Sequence, residues 1–272
     1  MNYSIEAVRK DFFVGRCTVP ALEGVSFSVE GGEHMAILGS SGAGKTTLFR
    51  LLNATLRPAS GSVRVDGRDL GAMSSADLRS TRRRIGTIYQ QHNLVPSLTS
   101  LQNALCGCLG RWSFAQTLRS IYSPTGDDVQ QAMHALELVE LADKRHARAD
   151  ELSGGQQQRL AIARVLVQKP EVILADEPIA SLDPALADEI TSLLIRVGSE
   201  GKRTLVVALH KVELALEHFP RVIGLRAGSV CFDRPPANLH GDLLHDLYHN
   251  RSQEAQQVQD EDRFQREFGC SR

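Results

Sequence analysis

Residues 39–46 read Gly-Ser-Ser-Gly-Ala-Gly-Lys-Thr, and few segments restrict a fold as strongly. Glycines at Gly39, Gly42 and Gly44 let the backbone take positive φ and come close to an anion, so that successive N–H groups converge on it. Such a loop works only where a strand feeds it and a helix leaves it. Here a compact apolar run, His34 to Leu38, precedes it and a helical pattern over residues 48–53 follows. The pattern Gly-x4-Gly-Lys-Thr then implies a phosphate cradle in which Lys45 meets the outer phosphates and Thr46 offers a hydroxyl to magnesium. Ser40, Ser41, Ala43 and Thr47 belong to the same cradle.

The rest of the chain suits strand–helix alternation. Strands are expected over residues 5–8, 25–29, 62–65, 85–89, 172–175, 204–208 and 221–225, and helices over 128–141, 157–168 and 185–197. From about Gln90 to Asp150 the branched strand-formers thin out and helix-formers take over, as in a helical insertion. Strands alternating with helices imply an α/β fold with a mainly parallel sheet. Beyond Asp233 comes Pro235-Pro236, a helix-like stretch over 243–248, and a polar tail from Asn250 that reads equally as a solvated helix or as disorder.

Bulk properties exclude more than they assert. A length of 272 residues allows one large domain or a core with an inserted subdomain. The net charge of −1 offers no long-range attraction to nucleic acid or to an anionic membrane. Arg82–Arg84 form a local basic cluster, read as a solvated helix end or a partner contact. The five cysteines (Cys17, Cys106, Cys108, Cys231 and Cys270) are scattered and read as unpaired thiols. No signal pattern opens the chain and no apolar run approaches the ~18 residues of a membrane helix, which places it on the cytosolic side. His245 and His249 share a spacing that metal ligands use, but without a third ligand a polar face is favoured.

Two further motifs carry chemistry. Residues 172–177 form an apolar strand ending in two acids; Asp176 is placed to hold magnesium and Glu177 to polarise an attacking water. Residues 152–156, Leu-Ser-Gly-Gly-Gln, open a helix whose start offers N–H groups and the Ser153 hydroxyl to an anion. By itself that segment reads better as an N-cap at Ser153 with glycines in the turn.

Together these motifs resemble the nucleotide-binding domains of ABC transporters, over residues 3 to 233. The resemblance implies a P-loop NTPase core of mainly parallel sheet with an N-terminal antiparallel β part and an inserted α-helical subdomain. It divides the chain into an ATP-binding core (1–89 and 155–235), the insertion (90–154) and a C-terminal extension (236–272). It also implies ATP and Mg2+ as ligands, the metal held by Thr46, Gln90 and Asp176. Lys45, Glu177, His210 and Gln90 would be catalytic, with His210 contacting the γ-phosphate. Phe12 stands where an aromatic residue, usually Tyr, stacks on adenine, and adjacent Phe13 leaves the choice open. Ser153, Gly154, Gly155 and Gln156 would act in trans on ATP held by a second copy, with Asp183 crossing the dimer interface.

With no membrane segment, separate permease subunits and an external substrate-binding protein are the implied partners, at the cytoplasmic face of the inner membrane and without nucleic acid. Within the family the chain looks most like phosphonate-importer ATPases, through residues 92–95, 148–153, 175–184, 212–217 and 223–228 and the long segment at 109–123. Ala208 departs from that subgroup, which usually carries Asn two residues before the histidine. Methionine or polar amino-acid import is the alternative cargo. A soluble non-transport ABC ATPase fits less well: this chain has one cassette, and its insertion lacks sustained heptads.

Overall fold

The computed structural model describes residues 1–15, 17–112, 116–117 and 124–249. The chain opens with an antiparallel hairpin, β1 (Tyr3–Val14) and β2 (Cys17–Val29), followed by β3 (His34–Leu38) and α1 (Lys45–Leu52). Next come β4 (Ser60–Val65), β5 (Arg68–Asp69), α2 (Ser75–Arg83) and β6 (Ile85–Ile88). Then come the helices α3 (Ser100–Leu105), α4 (Gly126–Leu138) and α5 (Gly154–Val167). Alternation then resumes with β7 (Val172–Asp176), α6 (Pro184–Glu200), β8 (Thr204–Leu209), α7 (Val212–His218) and β9 (Val222–Arg226). The hairpin partner β10 (Ser229–Arg234) and α8 (Gly241–His249) complete the described chain.

Two sheets form. The six-stranded sheet has the order β10-β9-β3-β8-β7-β6 and is parallel except for β10. The four-stranded sheet, order β2-β1-β4-β5, is antiparallel throughout. The central strands β3, β7 and β8 are buried on both faces, which is why they read as continuous apolar runs. Period-two alternation still sorts their side chains. Ala36, Leu38, Ile173, Ala175, Leu205 and Val207 join one core with α4, α5 and α6. Met35, Ile37, Val172, Leu174, Val206 and Ala208 join the other, with α1 and the antiparallel sheet.

Where structure and expectation differ, exposure is the common reason. β1 runs to Val14 because pairing with β2 carries it past the last core residue, through register shifts between Ile5 and Asp11. β10 has only Phe232 buried, so no apolar alternation announced it; the turn at Ala227 (φ 46°) and Gly228 (φ 77°) folds it back on β9. α2 buries only Leu78 and Thr81, and it is set locally by Ser74, whose hydroxyl accepts from the Asp77 N–H. α5 begins at Gly154, three residues before the expected start.

The basic cluster sits at the end of α2, where Arg82 and Arg83 are exposed; Arg84 forks onto Glu171 (2.6 and 2.8 Å) and Asp66 (2.7 Å), and Arg82 donates to the Ala54 carbonyl. Cys17, Cys106, Cys108 and Cys231 are free thiols. The tail from Asn250 lies outside the described residues. Leu136 of α4 is fully buried among the helices that pack on this sheet, so Leu136→Ala is expected to cost about 2–5 kcal/mol in urea unfolding.

Candidate functional site

Four neighbouring parallel strands deliver the candidate residues to one edge. Register sets Leu38 beside Leu209, Ala208 beside Asp176, and Ala175 beside Ile88. The residues leaving those strands, namely the glycine loop, His210, Glu177 and Gln90, therefore emerge together at the carboxyl ends. That edge is where open α/β sheets form their crevices.

The loop itself is held by backbone approach. Gly44 sits at φ 102°, and a Cβ there would lie 2.5 Å from the Ala21 carbonyl oxygen of β2. α1 starts at the next residue with no side-chain cap and no acid in its first turn, so its positive end is directed at the loop. The residues Ser41, Gly42 and 44–47, with Gln90, Glu177 and 19–21 of β2, surround a cleft of about 340 Å³.

Three charged or polar side chains close a triangle beneath this loop. Lys45, only 3% exposed, donates to the carbonyls of Gly39 (2.8 Å) and Ser40 (2.9 Å). Its Nζ lies 3.2 Å from Glu177 Oε1 and 3.5 Å from the His210 ring nitrogens. His210 Nε2 stands 2.5 Å from the same Glu177 oxygen. Glu177 occupies a left-handed conformation (φ 52°), a local strain of about 1–3 kcal/mol that the packed strand end enforces.

Asp176 is 7% exposed and its Oδ1 has no hydrogen-bond partner. Burial pushes its carboxyl above the usual range and the Glu177 charge adds to this; the Thr46 hydroxyl, Lys45 and His210 pull the other way. An orphaned carboxylate oxygen beside a hydroxyl, with the Gln90 amide lining the same cleft, is an all-oxygen donor set that fits a hard divalent cation such as Mg2+.

The remaining candidates lie outside the cleft. Ser153 caps α5: its hydroxyl accepts from the Gln156 N–H at 3.4 Å, while the Gln156 side chain accepts from the Ser153 N–H at 3.0 Å. Gly154 is exposed, and Gly155 is buried against Leu186 of α6. Asp183 caps α6 by accepting from the Leu186 N–H at 3.1 Å. Phe12 pairs across the hairpin with Val19, which lines the cleft, so both side chains share one face of the ribbon. Phe13 pairs with Thr18 on the opposite face and is 82% exposed.

Sequence reasoning missed Arg164. Its guanidinium, on α5, bonds the carbonyl of His92 at 2.6 Å and that of Asn93, two left-handed residues just after Gln90. A single arginine in a helical pattern carries no local sign of such a partner.

A family model described as ABC transporter matches residues 22–180. The protein of Pseudomonas fluorescens named Phosphonates import ATP-binding protein PhnC is 45% identical over 232 residues, covering 85% of this chain and 87% of that one. A Halalkalibacterium halodurans protein named Phosphonates import ATP-binding protein PhnC 3 is 40% identical over 233 residues, covering 86% and 90%. Among solved structures, the dimer of MJ0796, described as a bacterial ABC transporter cassette, has a TM-score of 0.76 at 30% identity, covering 87% of this chain and 100% of that one. The post-hydrolysis dimer of the same protein bound to ADP and Pi has a TM-score of 0.74 at 30% identity, covering 87% and 100%.

The buried Asp176 charge yields a test. Because its folded pKa is raised, the stability cost is absent below the ordinary carboxylate pKa and complete once pH exceeds the raised value. Asp176→Asn is therefore expected to stabilise the chain at neutral pH in EDTA by about 0.5–2 kcal/mol, with the gain vanishing in acid, as read by thermal unfolding.

Proposed function

This chain belongs to the ABC transporter family, and from that membership we propose that it hydrolyses ATP to power uptake of a phosphonate or related phosphorus oxyanion through separate permease subunits. The observation that carries the catalytic reading is the Lys45–Glu177–His210 triangle beside the partnerless Asp176 oxygen, under a glycine loop at the strand ends. The cargo rests on the names of relatives at 40% and 45% identity. Ala208 departs from the subgroup's usual Asn and is fully buried in the core shared by β3 and β7, where an amide would need a hydrogen-bond partner.

In this reading the loop N–H groups and the start of α1 hold the β- and γ-phosphates, and Lys45 exchanges its contact with Glu177 for one with phosphate oxygen. Phe12, on the cleft face of the hairpin, stacks on adenine, and Phe13 is assigned to solvent. Asp176, Thr46 and Gln90 would hold Mg2+, which supplies charge neutralisation at the phosphates. Glu177 accepts a proton from water as the water oxygen bonds to the γ-phosphorus; the bond to the ADP oxygen breaks, and His210 holds the γ-phosphoryl oxygens. The acceleration comes from positioning and charge rather than covalent chemistry.

A second copy completes the site. Its Ser153 hydroxyl, whose present cap bond is long at 3.4 Å, and its Gly154, Gly155 and Gln156 N–H groups close over the γ-phosphate, with Asp183 at the interface. The insertion, 90–154, carries closure outward to the permease. We assign the permease contact to the groove of about 440 Å³ between α2 and the segment after α3, rimmed by Arg79 and Arg83. Among the described residues no helix is long and apolar enough to cross a membrane. In this reading the contact with the permease holds the chain at the inner membrane face.

Glu177→Gln is expected to lower turnover by about 10² or more while ATP and Mg2+ convert the chain to a stable dimer in size-exclusion chromatography; rapid multiple turnover by this variant removes Glu177 from its role. Cells carrying Glu177→Gln as the sole copy are expected to fail with a phosphonate as sole phosphorus source and to grow on phosphate. Growth on both, with no second importer present, keeps the ATPase and discards the cargo.

A further inference from the structure

We propose that α8 is a strap tying the ends of β8 and β9 on either side of the loop-bearing strand β3, and that Tyr248 is a positioning residue for His210. The helix lies outside the 22–180 stretch that the family model matches, and three attachments fix it. Leu247 is 2% exposed and belongs to the core beneath α7, with Leu243 and Leu244 packed against that core. The Asp246 carbonyl accepts from Arg226 Nη1 at 2.8 Å. The Tyr248 hydroxyl donates to the His210 carbonyl at 3.3 Å.

The sheet order gives these two polar bonds their meaning. Arg226 ends β9 and His210 directly follows β8, and these strands flank β3, which feeds the glycine loop. Strands two places apart in a sheet lie about 10 Å from one another. α8 therefore spans the end of β3 and ties its two neighbours together.

His210 needs such a hold. The helix after it, α7, has Lys211 as its N-cap without a side-chain cap bond, so the helix start does not clamp the residue before it. A tilt of the His210 peptide moves its ring relative to Glu177, 2.5 Å away, and to Lys45. Burial, with a further push from the Glu213 charge, raises the Tyr248 phenol to about 12, so the hydroxyl keeps its proton and acts as donor at neutral pH.

The inference rests on the reading that His210 serves ATP hydrolysis, and the experiment separates the two. Tyr248→Phe in the full chain keeps the ring and removes only the hydroxyl. Loss of one neutral hydrogen bond is expected to lower kcat for ATP about fivefold. KM stays within about twofold, because the loop N–H groups and Lys45 carry most of the binding to ATP and Tyr248 touches none of it. Tm stays within about 2 °C, since the packing of α8 is intact. Wild-type kcat in Tyr248→Phe, or a rise in KM with kcat unchanged, overturns the strap, as does a kcat loss matched by a drop in Tm. His210→Ala is measured alongside. If it retains wild-type turnover, the reading beneath the strap fails as well; if it loses turnover while Tyr248→Phe does not, only the strap is rejected.

Discussion

The parallel register of β3, β8, β7 and β6 is the constraint on which the rest depends. Neighbouring strands lie about 4.8 Å apart, so Lys45 and Glu177, which follow strands two places apart, meet only because the strand ends are level and a lysine side chain spans the gap. His210 leaves the strand between them and forms the third corner of the triangle. A one-residue slip of β7 would turn every side chain of that strand to the opposite face and exchange the two cores. The alternation of Ile173 and Ala175 with Val172 and Leu174 between those cores opposes such a slip, so apolar packing far from the cleft fixes its geometry.

That geometry is costly to hold. Lys45 is nearly fully buried, Asp176 keeps a carboxylate oxygen without a partner, and Glu177 sits at positive φ. Each of these would be selected against in a segment that had only to fold. They persist because the strands bearing them are covered on both faces, and burial of that apolar surface outweighs the local penalties. The Lys45 ammonium is itself well satisfied, by two carbonyls and the Glu177 carboxylate. Asp176 instead keeps one carboxylate oxygen without a partner, an acceptor of the kind that suits a hard cation.

The motif at Ser153 shows one segment serving two ends. Within the chain it is a reciprocal capping box that starts α5, and Gly155 lets α6 pack closely through Leu186. α5 also carries Arg164, which grips the loop after Gln90 from the other side. One helix thus carries both the Ser153 cap and the grip on the loop after Gln90.

Much of this was legible in the sequence, for reasons that differ by element. The glycine loop was visible because positive φ and close backbone approach demand glycine locally, as Gly44 against Ala21 shows. The strand ending in Asp176 and Glu177 was visible because a strand covered on both faces must be apolar throughout. β10 and α2 were not visible, since exposed faces impose no period. Which of Phe12 and Phe13 shares a face with the cleft-lining Val19 needed the hairpin register, which several bulges make unreadable from spacing. Arg164 and Tyr248 act through backbone carbonyls, and a carbonyl has no residue type to betray it. Local stereochemistry and burial therefore determined which segments carry chemistry. Only the tertiary structure decided that Lys45 and His210, 165 positions apart, share one carboxylate, because strand order is a property of the assembled sheet.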